Sequence, residues 1–153
     1  MRIDVFTLFP EACEPFFAAS IIGRAQVAGC VDIQCHNIRD YSRDPHRKVD
    51  DRPFGGGPGM VLMCQPIFDA VAAVEAADGA PATRVLLTPQ GQRLNQSLVR
   101  ELAELPRLLL IAGHYEGFDE RIRLGLSPRE ISQALDILEG RAPETLDERG
   151  VVQ

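Results

Sequence analysis

Tryptophan is absent from the 153 residues, tyrosine occurs twice, and lysine occurs once, at Lys48. The other 15 basic side chains are arginines, so almost every cation can grip a phosphate or carboxylate with two donors instead of acting as a point charge. A genome-wide arginine bias would leave the same imprint. No CxxC pair links the four cysteines, Cys13, Cys30, Cys35 and Cys64. That excludes a zinc knuckle and argues against an exported disulfide framework, which leaves the thiols as core fillers. The chain does not open with a basic region and an apolar leader, and no apolar run approaches the about 20 residues that cross a bilayer. The expectation is a cytoplasmic protein without a membrane partner. Neither GxGxxG nor a P-loop pattern is present, which removes the main support for ordinary dinucleotide or nucleoside-triphosphate binding. The 16 basic against 22 acidic residues give a net charge of -6, so the average surface repels nucleic acid and any contact with it needs a local basic patch.

What is present reads as one α/β domain. The apolar run at 3–9 ends at Pro10 and predicts a buried strand. Phe16, Phe17, Ile21 and Ile22 then fall at helical spacing, with Gly23 or Gly29 as the stop. A second strand is expected over 31–38, a helix over 61–77 carrying Ile67, Val71 and Val74, and a stop at Asp78-Gly79. The second half repeats the alternation. A strand over 83–89 is stopped by Pro89, a helix over 95–105 is opened by Asn95, and a strand over 107–113 ends in glycine. Continuous apolar strands separated by helices predict a mostly parallel sheet with helices on both faces. After Arg121 the pattern weakens, and the chain is expected to end as a frayed tail.

Between the second strand and the helix over 61–77, residues 39–60 carry charges, three prolines and four glycines, too little apolar surface to bury a regular element. Arg39, Arg43, Arg47, Lys48 and Arg52 stand there beside Asp40, Asp44, Asp50 and Asp51. The segment is either the missing basic patch or a charge-balanced solvated loop. Gly55, Gly56, Gly57 and Gly59 around Pro58 are costly in backbone entropy, and they suit a chain folded against a ligand or another backbone. Open α/β sheets bind ligands beyond the carboxyl ends of their strands. Two such ends stand out: a tight turn at Thr88-Pro89-Gln90-Gly91, and Gly113-His114-Tyr115-Glu116-Gly117 with its two glycines, one aromatic plate and one carboxylate. That set suits an adenine-like ring and a cationic or hydroxylated ligand. His36, His46 and His114 lack metal-ligand spacing, and no metal site is expected.

Taken together, the start FTLFPE, the stretch RDYSRDPHRKVDDRPFGGGPGMVLM, TPQG at 88–91 and GHYEGFDERI at 113–122 resemble the bacterial tRNA (guanine-N1) methyltransferase family over residues 1–132. The resemblance implies a trefoil-knot domain over 1–132 that binds S-adenosyl-L-methionine, works as a homodimer, and methylates N1 of guanosine-37 in tRNA. By matching residues, it implies that Leu87, Pro89, Gly113, Tyr115, Glu116 and Gly117 surround the cofactor. The 39–60 segment becomes the substrate loop, with Arg43, His46, Arg47, Asp50, Arg52, Gly55, Gly56, Gly57 and Gly59 approaching guanine and phosphates. The family pattern then runs S-I-G-D-Y-V-L-T-G-G-E, whereas Ser132 is followed here by Gln133-Ala134-Leu135-Asp136-Ile137-Leu138-Glu139-Gly140. Residues 133–153 are therefore a divergent tail in place of the end of the knot and the C-terminal domain. The family's catalytic aspartate and arginine have no matching residue, no catalytic base is assigned, and methyl transfer by this chain alone is expected to be weak or absent. The rival reading is a non-catalytic tRNA-contact module without a complete cofactor site.

Overall fold

A computed structural model describes residues 1–79 and 82–132. Five strands form a wholly parallel sheet in the order β2-β1-β6-β5-β7. They are β1 (Arg2–Thr7), β2 (Asp32–Asn37), β5 (Thr83–Arg93), β6 (Arg107–Ala112) and β7 (Arg129–Ser132). A two-residue antiparallel ribbon joins β3 (Asp50–Asp51) to β4 (Val61–Leu62). The helices are α1 (Pro10–Ala18), α2 (Ser20–Val27), α3 (Cys64–Asp78), α4 (Gln96–Ala103) and α5 (Glu120–Leu126).

Strand alternation sorts the core into two layers. Phe6, Leu86, Leu109 and Ile111 face Ile67, Val71 and Val74 of α3 and Ile122 and Leu126 of α5. Val85, Leu108 and Ile131 point the other way, onto Leu98 and Leu102 of α4. Helices on both faces are thus as expected. Asn95 opens α4 through a side-chain oxygen that accepts from the Leu98 N–H at 2.9 Å. Asn95→Ala is expected to cost about 1 kcal/mol in chemical denaturation; an unchanged midpoint would remove the cap from the helix's stability.

Several expectations need correction. The stripe of Phe16, Phe17, Ile21 and Ile22 does not belong to one buried helix. The chain is extended at Ala19, which separates α1 from α2, and neither helix holds a buried residue. Gly23 lies inside α2, where a Cβ would meet the Ala18 carbonyl oxygen at 2.1 Å, and the stop is Gly29 at φ +70°. The strand over 83–89 does not stop at Pro89. Its pairing with β7 jumps from Leu87 to Gln92, both opposite Ile131, so 88–91 is an excursion within a longer strand. Proline is tolerated at such a bulge because no ladder donor is required there. Gly91 lies so close to β7 that a Cβ would stand 2.4 Å from the Ile131 nitrogen.

The helix expected over 61–77 starts at Cys64, since Val61 and Leu62 belong to β4. The 39–60 segment is not wholly irregular. It takes a 3-10 turn over Ile38–Tyr41 and strand β3, anchored by the fully buried Ile38 and Val49. Beyond Arg121, α5 and β7 are regular and bury Ile122, Leu126 and Ile131. Of the cysteines expected as core fillers, the half-buried Cys64 packs against the main core, Cys13 and Cys35 are half-buried, and Cys30 is exposed. The expected frayed tail and the path that would complete a knot fall on 133–153, outside the described residues.

Candidate functional site

The site begins with two loops that fold onto each other. After β6, the chain turns at Tyr115 (φ +60°) and Gly117 (φ +131°) and comes back along residues 60–62. Glu116 N–H donates to the Met60 carbonyl at 3.1 Å, Leu62 N–H to the Gly117 carbonyl at 2.9 Å, and Asp119 N–H to the Leu62 carbonyl at 3.0 Å. The Glu116 carboxylate adds a fourth bond, accepting from the Met60 N–H at 2.7 Å. Gly59 makes this possible twice over. Its φ is +80°, and a Cβ would sit 1.9 Å from the Glu116 carboxyl carbon. Gly55, Gly56 and Gly57 share the positive φ, but no atom lies within 4 Å of where their Cβ would be.

Asp119 then caps α5, accepting from the Arg121 N–H at 2.9 Å and from the Arg121 guanidinium at 2.6 Å. The Arg121 side chain holds its carboxyl well below the usual carboxylate range. Burial pushes the neighbouring Cys64 thiol up, helped by the Asp119 carboxylate, which keeps it protonated.

Of the residues expected around a cofactor, Pro89, Glu116 and Gly117 meet, together with Leu86, Thr88 and Gln90, around a cavity of about 140 Å³. Gly113 and Tyr115 belong to the same loop. Gly113 packs under Phe118, whose ring a Cβ would meet at 2.8 Å, and Tyr115 turns outward. Leu87 is not brought to this cavity. It lines an apolar groove beside Val85, Leu94, Val99 and Leu102 on the α4 face. A larger recess of about 550 Å³ opens between Pro53, Phe54 and Val61 on one side and Phe118 to Arg121 on the other. Its size is ordinary for a small-molecule or nucleoside site.

The expected substrate loop is electrostatically quieter than its composition. Arg43 pairs with Asp69 of α3 at 2.8 Å, Arg47 with Asp40, and Lys48 with Asp51 at 3.4 Å. Arg39 and Arg52 have no carboxylate within ion-pair distance among the described residues. His46 engages through its backbone, donating to Asp44 at 2.7 Å, and Asp50 sits in β3. The expectation of one basic patch therefore narrows to two unneutralised arginines. Sequence reasoning missed an aromatic row just beyond the first strand: Phe9 packs edge-on to His114, with ring centroids 5.2 Å apart, and His114 to Tyr115 at 4.9 Å. The motif FTLFP next to GHY was the available signal, but nothing in it says that strands 100 residues apart are neighbours.

A parallel α/β sheet whose loops gather at the strand carboxyl ends, with a glycine-rich loop clasped to a Tyr-Glu-Gly turn, places the chain among open parallel α/β domains. The sequence matches the family described as tRNA (Guanine-1)-methyltransferase TrmD over residues 1–140, and the chain belongs to that family. It is 51% identical over 140 residues to a tRNA (guanine-N(1)-)-methyltransferase of Chloroflexus aurantiacus, covering 92% of this chain and 55% of that protein. The corresponding figures for the Rhodopirellula baltica protein of the same name are 50% over 141 residues, 92% and 58%. Among solved structures, tRNA (m1G37) methyltransferase from Aquifex aeolicus superposes with a TM-score of 0.79 at 36% identity, covering 88% of this chain and 60% of that one. The chain thus spans little more than half the length of the curated relatives it matches.

Proposed function

We propose that residues 1–132 form the S-adenosyl-L-methionine-binding domain, with 39–60 as substrate loop, of an enzyme that methylates N1 of guanosine-37 in tRNA. The observation that carries this reading is the clasp between Gly59–Leu62 and Glu116–Asp119. It sets the loop expected to meet the guanine directly against the loop expected to meet the cofactor. The donor set suits that cofactor: Glu116 keeps one carboxylate oxygen without a partner among the described residues for an ammonium or hydroxyl group, and Pro89 gives an apolar wall. Bound S-adenosyl-L-methionine supplies a methyl group activated on a sulfonium sulfur. The chain's own part is to orient the guanine in the recess beside Pro53 and Phe54, with Arg52 free for a phosphate.

A homodimer in the cytoplasm follows from the same family reading. Phe16, Ile21 and Val27, at 66%, 68% and 92% exposure, offer a second copy an apolar surface on α1 and α2. Among the described residues no helix is long and apolar enough to cross a membrane.

The contact-module reading is favoured by one observation: the cavity at Pro89 and Glu116, about 140 Å³, is smaller than the roughly 300 Å³ at which drug-sized ligand sites begin. Calorimetry separates the two. Saturable one-to-one binding of S-adenosyl-L-methionine, with slow incorporation of labelled methyl into tRNA containing guanosine-37, is the expected result. Retention of tRNA with no cofactor binding would replace the enzyme by the module.

A further inference from the structure

In the sheet order, β1 and β6 are neighbours whose onward connections leave in opposite directions, β1 to β2 at one edge and β6 to β7 at the other. The crevice beyond their carboxyl ends is a topological switch point, where parallel α/β sheets bind ligands. Of the residues standing there, the family resemblance assigns Tyr115 to the cofactor and puts Arg39 at the start of the substrate loop, and it gives no role to Phe9 or His114. Phe9 follows β1, His114 and Tyr115 follow β6, and Arg39 follows β2, so three adjacent strand ends contribute. The rings of Phe9, His114 and Tyr115 meet edge to face in sequence, with interplanar angles of 74° and 70°. Phe9 is 42% and Tyr115 40% exposed, and His114 is exposed as well. Arg39 donates to the Tyr115 hydroxyl at 3.4 Å and has no carboxylate partner among the described residues.

We infer that Phe9, His114 and Tyr115, with Arg39 at their end, form a stacking shelf for an unpaired base of the RNA, next to the nucleotide being modified. The inference rests on the tRNA reading above and adds a subsite to it. An apolar partner would fit the rings but not the guanidinium, and a bare phosphate would fit the guanidinium but not the rings. A nucleotide of single-stranded RNA uses both, because every base has a face to stack and every linkage a charge to meet an arginine. The shelf is held before any ligand arrives. Phe9 N–H donates to the Thr7 hydroxyl at 3.2 Å, and Tyr115 is fixed by its left-handed backbone.

The test uses the full chain and an anticodon stem-loop RNA carrying 2-aminopurine in turn at each loop position beside the target guanosine. Stacking predicts quenching at one of these positions on binding. Phe9→Ala and His114→Ala should each weaken RNA affinity about tenfold and abolish the quenching, while His114→Phe restores it. Phe9→Ala should leave S-adenosyl-L-methionine affinity within about twofold. Unchanged affinity and quenching in both alanine variants would overturn the shelf while leaving the tRNA reading standing. RNA that does not bind the wild type at all would overturn both. Conversion of a dimer to a monomer by Phe9→Ala in sedimentation would make these rings a self-contact and also overturn the inference.

Discussion

Gly59→Ala is expected to undock the glycine-rich loop from the 113–119 turn while leaving the sheet folded. An alanine at φ +80° pays about 1–2 kcal/mol in the left-handed region. Its Cβ would also occupy the place of the Glu116 carboxylate, so that group must leave and the bond to Met60 N–H is lost, about another 1.5 kcal/mol. Together these amount to about 3 kcal/mol, roughly a hundredfold in the docked population. Hydrogen exchange should show the Met60, Leu62 and Asp119 amides losing protection by about that factor while β1 and β6 keep theirs. If both cofactor and guanine sites depend on the clasp, affinity for S-adenosyl-L-methionine and for tRNA should fall together. Undiminished protection at Leu62 and Asp119 would show that the clasp does not rest on Gly59.

The second large effect lies at the opposite end of the sheet. Asp4 is fully buried and accepts from Arg2 at 3.0 Å, from Arg107 at 2.9 Å, and exchanges a hydrogen bond with His36 at 2.8 Å. Arg107, itself only 2% exposed, also reaches Asp78 at 2.7 Å and the Val74 carbonyl at 3.1 Å. Burial works to raise the Asp4 carboxyl, but the hydrogen bonds from Arg2, His36 and Arg107 outweigh it and hold it below its ordinary value. Asp4→Asn leaves Arg107 buried with Asp78 as its one carboxylate, and removing one partner of a buried pair costs about 3–5 kcal/mol. For a chain of this length that lowers the melting temperature by about 10 °C.

The pH dependence has a definite sign. A depressed carboxyl contributes stability that is fully present above its unfolded value of about 3.9 and is lost as pH falls through the lower folded value. The wild type should therefore lose more stability than Asp4→Asn on acidification below about pH 4. Parallel acid limbs for the two proteins would mean that Asp4 is not ionised in the fold.

The sheet and its helices were legible because their signal is local: apolar runs, helical spacing and the Asn95 cap each occupy a few consecutive residues. The misreadings arose where a local signal met a distant partner. Pro89 reads as a stop unless Ile131 is known to pair on both sides of the excursion, and Glu120 to Ser132 reads as weak pattern because its short elements are stabilised by residues 40 or more positions away, such as Phe68 beneath Gly125. The same limit governs the site. Glycines and the Tyr-Glu-Gly turn could be picked out as useful, yet only the fold shows that Gly59 exists for Glu116, that three of five loop cations are already neutralised, and that Phe9 stands beside His114.

The strand order also fixes when this protein can begin to exist. Of the described strands β1 is made before the others, but its partner on the side of the site is β6, with Arg2 opposite Arg107, roughly a hundred residues later. Until then β1 has only β2 to pair with, and Asp4 lacks the guanidinium of Arg107. At about 5–20 residues per second of synthesis, the edge of β1 that pairs with β6 waits about 5–20 s with its backbone donors and acceptors open, which leaves the nascent first half exposed to wrong strand pairing.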